Sequence, residues 1–214
     1  IATDKVSGKC QCDKFLQLDI NVFVGSQKTT EVSSLRNLIP ANGLDCLVNN
    51  AATQILGSTE DITLDDWINT LNTNLLAPFF TAQNLLKSLE KKHGSVINIG
   101  SVHARSTKPN FVCYATSKSA LVGLTRSMAV DLGPRIRVNA INPAATATPM
   151  LLAGFEGKEK EYAELSMMHP LERIAEPKEI AQAAIFLASQ QSTFITGASL
   201  DIDGGISQRL HDPL

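Results

Sequence analysis

Short apolar runs alternate along this chain with longer stretches of helical pattern, and that alternation restricts the fold more than any other feature. Residues 44–48, 95–99, 135–141 and 198–202 read as strands. Three of these are nearly unbroken in apolar character, which suits strands covered on both faces. Helical patterns lie over about 31–39, 63–92, 110–132 and 177–189. Thr63-Leu64-Asp65-Asp66 resembles a capping box with an aspartate in its last position. Pro177 ahead of Lys178-Glu179-Ile180 fits proline in a first helical turn. The alternation predicts an α/β fold, a doubly wound parallel sheet with right-handed crossovers. Residues 150–173 break the rhythm with Gly154, Gly157, a charged stretch over 156–164 and Pro170. They read as a mobile substrate lid.

The 214 residues fit one domain, 1–214, with enough chain for a large core. Hydrophobic residues make up 43% and charged residues 19%, as in soluble globular proteins. The net charge of −2 comes from scattered charges of both signs, without a basic patch or an acidic tail. Nucleic acid and membrane surfaces are therefore not expected partners. No apolar run approaches the roughly 20 residues that a bilayer span needs. Cys10, Cys12, Cys46 and Cys113 form no C-x-x-C pair and read as reduced thiols in a cytoplasmic protein. With no histidine near Cys10 and Cys12, no metal site is expected.

Three residues carry the chemistry. Tyr114 and Lys118 have the i, i+4 spacing that puts two side chains on one helix face, about 6 Å apart along the axis. Ser101 lies just past the apolar run 95–99, at the carboxyl end of a buried strand, where open α/β sheets bind ligands. A hydroxyl, a phenol and an ammonium together suit proton transfer to or from a carbonyl or alcohol oxygen. A free phenol, with a pKa of about 10, is a poor base at neutral pH, and a nearby fixed ammonium favours phenolate. Taken singly, Tyr114 could pack in the core, Lys118 could face solvent and Ser101 could be an ordinary strand-end hydroxyl.

Further motifs join these in order. They are Asn49-Asn50-Ala51-Ala52, Asn72-Thr73-Asn74-Leu75, the segment 137–143, Phe194-Ile195-Thr196-Gly197 and 201–205. With Ser101 and Tyr114-x-x-x-Lys118 they resemble the short-chain dehydrogenase/reductase family through most of the chain. The resemblance implies a Rossmann-like fold and an NAD(P)-dependent oxidoreductase acting on a small-molecule secondary alcohol or ketone. It implies Tyr114 as general acid/base and Ser101 as a hydrogen-bond partner of the reacting oxygen. Lys118 would also hold the nicotinamide ribose, and Asn74 would position a water in the proton path. Asn74 could instead tie helix to strand.

For the cofactor, the resemblance implies contacts from Asn49, Ala51, Pro143, Thr146 and Thr148. Thr148 keeps a hydroxyl expected at the carboxamide, Thr146 replaces a common Ile or Val, and Ala144 stands where glycine is usual. If the chain opens on the family's second strand, Asp4 receives the adenosine ribose hydroxyls, which favours NAD over NADP; Lys5 stands beside it. Asp19 matches an adenine-contacting acid, and otherwise is a turn or helix cap. His103 and Arg105 could line the substrate pocket, with Arg105 meeting a carboxylate, or lie in a solvent-facing loop. Cys113 reads as packing beside Tyr114.

One departure is large. No G-x-x-x-G-x-G loop is present, although the family binds pyrophosphate there at a helix N-terminus. The expectation is a native chain with about 25–35 further residues upstream, a strand–helix unit in mid-sheet. A truncated, non-catalytic assembly partner and an NADP-dependent 3-oxoacyl reductase are the alternatives. Trp67, Leu71, Leu75, Phe79 and Phe80 suggest surplus apolar surface on the helix over 63–92. The family's habits then imply a homodimer or homotetramer.

Overall fold

The computed structural model describes residues 1–4, 12, 14–24 and 30–210. In chain order the elements are β1 (Ala2–Asp4), β2 (Phe15–Gln17), α1 (Thr30–Leu38), β3 (Cys46–Asn49), α2 (Leu64–Leu71) and α3 (Ala77–Glu90). Then come β4 (Ser95–Ile99), α4 (Val112–Leu132), β5 (Arg137–Pro143), α5 (Pro149–Gly154), α6 (Glu159–Met168), α7 (Pro177–Ala188) and β6 (Ser199–Ile202). Lys5 and Cys10 lie outside the described residues.

Every strand pairing is parallel. β1 pairs with β2, and a second sheet has the order β3-β4-β5-β6. Among the described residues no strand of one sheet pairs with a strand of the other. The inner strands β4 and β5 are buried along almost their whole length. Period-two alternation divides their side chains between two cores. Val96 and Val138 pack with Leu85 and Leu89 of α3 and Met128 and Leu132 of α4. Ile97 and Ile141 pack on the opposite face with Leu187 of α7. This two-sided cover is why the runs show no polar alternation, and it establishes the expected α/β, Rossmann-like winding.

The capping box forms as expected. Thr63 Oγ1 accepts from the Asp66 amide at 3.2 Å, and the Thr63 amide donates to Asp66 Oδ2 at 3.0 Å. The single helix expected over 63–92 is corrected. A π-helical turn, Asn72–Leu76, separates α2 from α3. Proline explains part of this: in a regular α-helix the amide of residue 78 would bond the carbonyl of Asn74, and Pro78 has no N–H to give. Phe79 and Phe80 are also not surplus surface. Their rings meet edge to face, with centroids 5.2 Å apart, and pack against the core. The apolar side chains that α2 exposes are Leu64 and Ile68.

Within 150–173 the chain forms α5 and α6 rather than an irregular loop. Cys46 and Cys113 are free thiols, whereas Cys12 is disulfide-bonded, which corrects the expectation of reduced cysteines throughout. Among the described residues no helix is long and apolar enough to cross a membrane, and no group of three or more His, Cys, Asp or Glu could hold a metal.

Candidate active site

The carboxyl end of β4 and the first turns of α4 bring Ser101, Tyr114 and Lys118 together. Ser101 opens a short 3-10 turn, Val102–Ala104, its Oγ accepting the His103 amide at 3.2 Å. The same side chain stands close enough to the Tyr114 phenol to lower its pKa. One helical turn further, Lys118 is 2% exposed; its Nζ donates to the Ile99 carbonyl at 2.7 Å and lies 5.6 Å from the centre of the Tyr114 ring. The solvated-helix reading of Lys118 is thereby excluded.

Burial governs the electrostatics. The Tyr114 phenol is held above its ordinary pKa chiefly by loss of water. Lys118 is pushed down to about 8 by the same desolvation. In the chain alone, burial raises the phenol's pKa, and Ser101 is the neighbour that works against it.

Asn74 is buried in the π turn with its amide fully committed on the donor side. Its Nδ2 donates to Thr53 O at 2.9 Å and Ser117 Oγ at 3.0 Å, and its Oδ1 accepts the Thr53 amide at 2.8 Å. Ser117 in turn donates to Tyr114 O at 2.7 Å. Asn74 thus ties the segment after β3 to the turn of α4 that carries the phenol. An amide oxygen accepts two bonds, so one lone pair of Oδ1 remains, beside a main-chain carbonyl that lacks its regular helical partner.

His103 reaches the phenol. Its ring stacks on Phe111 at 4.4 Å and meets Tyr114 edge-on at 5.7 Å, while Nδ1 pairs with Thr107 Oγ1 at 2.9 Å. Burial, then Lys108, lowers its pKa. Arg105 instead donates to Asp201 Oδ2 of β6 at 3.0 Å, so the carboxylate it meets is in its own chain. Neither described cavity, of which the larger measures about 520 Å³, is lined by Ser101, Tyr114 or Lys118.

The residues expected at a dinucleotide are spread along the strand ends. Asn49 is buried and donates to Asn98 Oδ1 at 2.8 Å, so its side chain braces β3 against β4. Ala51 is exposed just beyond. Pro143 ends β5, Thr146 Oγ1 donates to Ala144 O at 3.2 Å, and Thr148 caps α5. Asp4 ends β1 as an exposed carboxylate. Asp19 caps a 3-10 turn, accepting the Asn21 amide at 3.0 Å, which realises the cap reading. Sequence reasoning missed Ser117, Phe111 and the Ile99 carbonyl. Only Ser117 left a trace, a small polar residue three places beyond Tyr114 on the same helix face.

A family model described as Enoyl-(Acyl carrier protein) reductase matches residues 4–207. Trans-4-hydroxycyclohexanecarboxylate dehydrogenase of Sinomonas cyclohexanicum is 39% identical over 163 residues, 76% of this chain and 60% of that protein. Dehydrogenase/reductase SDR family member 4 of Homo sapiens is 37% identical over 171 residues, 78% of this chain and 61% of that protein. The chain thus spans about three-fifths of the length of these curated relatives. Ligand-free aldohexose dehydrogenase of Thermoplasma acidophilum superimposes with a TM-score of 0.90 at 30% identity, over 99% of this chain and 85% of the other. ElxO with NADP bound gives 0.82 at 30% identity, over 92% and 79%.

Proposed function

This chain belongs to the short-chain dehydrogenase/reductase family, and on that premise we propose that it is an oxidoreductase interconverting a secondary alcohol and a ketone, with Tyr114 moving the proton. The observation that carries the reading is the cluster at the end of β4 of a half-buried Tyr114 with a buried Ser101 and a buried Lys118. A nicotinamide dinucleotide, when bound, supplies or takes the hydride.

The fit to such a group rests on Lys118. An ammonium can donate three hydrogen bonds, and the described residues take one, through Ile99 O. The remaining donors suit the vicinal hydroxyls of a ribose. Asp4, Asn49, Ala51, Pro143, Thr146 and Thr148 would hold the rest of the dinucleotide. Asp4 supports NAD, since a carboxylate receives ribose hydroxyls and repels a 2′-phosphate. Two of the similar solved structures, by contrast, hold NADP or NADPH.

For the reaction, Ser101 Oγ holds the substrate oxygen and Tyr114 gives it a proton or takes one. Burial favours the protonated phenol, so the chain alone is poised as the acid that ketone reduction requires. The water that relays protons would sit against the π turn, at Asn74 Oδ1 or the Asn74 carbonyl. His103 would face the substrate, and α5 with α6 would close over it as a lid. Leu64 and Ile68 on α2 and Val130 on α4, all exposed, support a homodimer or homotetramer.

The test is fluorescence titration with NADH and NADPH, followed by assay of both cofactors against a panel of sugars, polyols, hydroxy acids and ketones. Binding with turnover that Tyr114→Phe removes supports the reading. No binding at millimolar cofactor would favour a non-catalytic assembly partner.

A further inference from the structure

Two side chains deep in the core, Asn98 and Thr125, bear on where the phenol stands. Asn98 lies between Ile97 and Ile99 of β4 and is 1% exposed; Thr125 is on α4 at 0%. Asn98 Nδ2 donates to Thr125 Oγ1 at 2.9 Å, and Thr125 Oγ1 donates to Leu121 O at 2.8 Å. On the other side Asn98 Oδ1 accepts from Asn49 Nδ2 at 2.8 Å. A polar string therefore crosses β3, β4 and α4 through surroundings that would make any unpaired member costly.

The string lies in line with the catalytic cluster. Tyr114, Lys118 and Thr125 recur at helical spacing on the α4 face turned to β4, and each meets that strand or its end. Thr125 bonds Asn98, Lys118 bonds Ile99 O and Tyr114 stands beside Ser101. Of these three links, Lys118 is a flexible stem with a rotatable head, and the Tyr114 hydroxyl sits at the tip of a long side chain. Thr125 is β-branched and stiff, and Asn98 accepts from one neighbour and donates to another, so this link tolerates the least sliding. We infer that Asn98 and Thr125 are positioning residues that fix the axial register of α4 on β4 and so hold the Tyr114 hydroxyl at Ser101, about 16 Å of helix away. This rests on Tyr114 being the proton-transfer group.

The full chain contains two tyrosines, Tyr114 and Tyr162, so ¹³Cζ-tyrosine NMR reads the phenol directly once Tyr162→Phe has assigned the pair. Thr125→Val keeps the shape and removes the hydroxyl. It is expected to shift the Tyr114 resonance, leave that of Tyr162 in place and lower kcat about tenfold with KM for the alcohol within about twofold. Thr125→Ser is expected to restore both readouts. A folded Thr125→Val chain with unmoved Tyr114 resonance and unchanged kcat overturns the inference, as does a serine variant as impaired as the valine one. If Thr125→Val does not fold, Thr125→Ala carries the same test, since the space it opens admits a water to take the Asn98 proton. A chain without any turnover would count against the proposed reaction, while the resonance would still decide the register.

Discussion

The ammonium of Lys118 lies 5.6 Å from the centre of the Tyr114 ring, yet its hydrogen bond goes to Ile99 O at the end of β4. It is thus a charge moored to the strand, close enough to feel the ring face but not bonded to the phenol oxygen. Lys118 is buried and Tyr114 half-buried, and desolvation is the largest influence on each. Lys118 is poised to serve a ligand's hydroxyls while Tyr114 answers to Ser101.

Replacing Tyr114 with Phe removes the proposed proton carrier and keeps the ring that packs against His103 and Phe111. Turnover should fall by about 10²–10⁴-fold with dinucleotide binding little changed. Steady-state rates beside NADH titration check this; retained turnover would reassign the role.

Because the phenol titrates above its ordinary range, its neutral form persists through neutral pH. Ketone reduction, which in the proposed reaction uses the acid, should hold its rate across neutral pH until Lys118 begins to lose its proton toward its pKa of about 8. Alcohol oxidation, which uses the phenolate, should climb as pH rises through the alkaline range. Paired pH–rate profiles test the signs, and an oxidation rate that falls on going alkaline would contradict them.

Lys118 has a folded-state pKa of about 8, below the value of about 10.4 for a free lysine. A depressed lysine pKa means that the folded state binds protons less readily than the unfolded chain. The resulting penalty is full below about pH 8 and fades as pH climbs toward the unfolded value. Lys118→Met should therefore raise the melting temperature at pH 7 while abolishing turnover, with a gain on the order of 3 kcal/mol before the lost Ile99 bond is subtracted. Melts at pH 7 and pH 10 should show the difference narrowing; one that widened would reverse the sign.

A methyl group at Gly100 would stand 2.2 Å from Asn142 Oδ1 and 3.2 Å from Ile141 O. Asn142 cannot easily swing aside, since its Nδ2 donates to Ser199 Oγ at 2.7 Å and Asp201 Oδ1 at 2.8 Å. Gly100→Ala should cost about 1–3 kcal/mol and displace the neighbouring Ser101. Urea midpoints measure the cost. An unchanged midpoint would mean that β5 yields without strain.

The sequence made the sheet legible where burial is two-sided. The apolar runs over 95–99 and 135–141 became β4 and β5 because no face of either strand meets solvent. The grouping of Ser101, Tyr114 and Lys118 was legible because the i, i+4 spacing on α4 and a strand-end serine are local patterns. Lys118's orientation was not, since its partner is a backbone carbonyl on another element and no residue type marks it. Arg105 was read as open to a ligand because Asp201, 96 positions away, is invisible as its neighbour in the chain. The π turn had a written sign in Pro78, but its effect depends on which carbonyl loses a partner, and that requires the helix to be built.

That turn has a consequence for how the chain tolerates change. Each residue advances a helix by about 100°, and the wider π loop absorbs one extra step between α2 and α3. Excising a single residue from 72–76 would let the turn close to a regular α-helix with Leu85 and Leu89 still on the face they share with Val96, but it would set the Pro78 ring against the carbonyl four residues before it. The proline, rather than the packing, is therefore what holds the extra residue in place, and a one-residue gap here should be far better tolerated when Pro78 is also replaced by alanine.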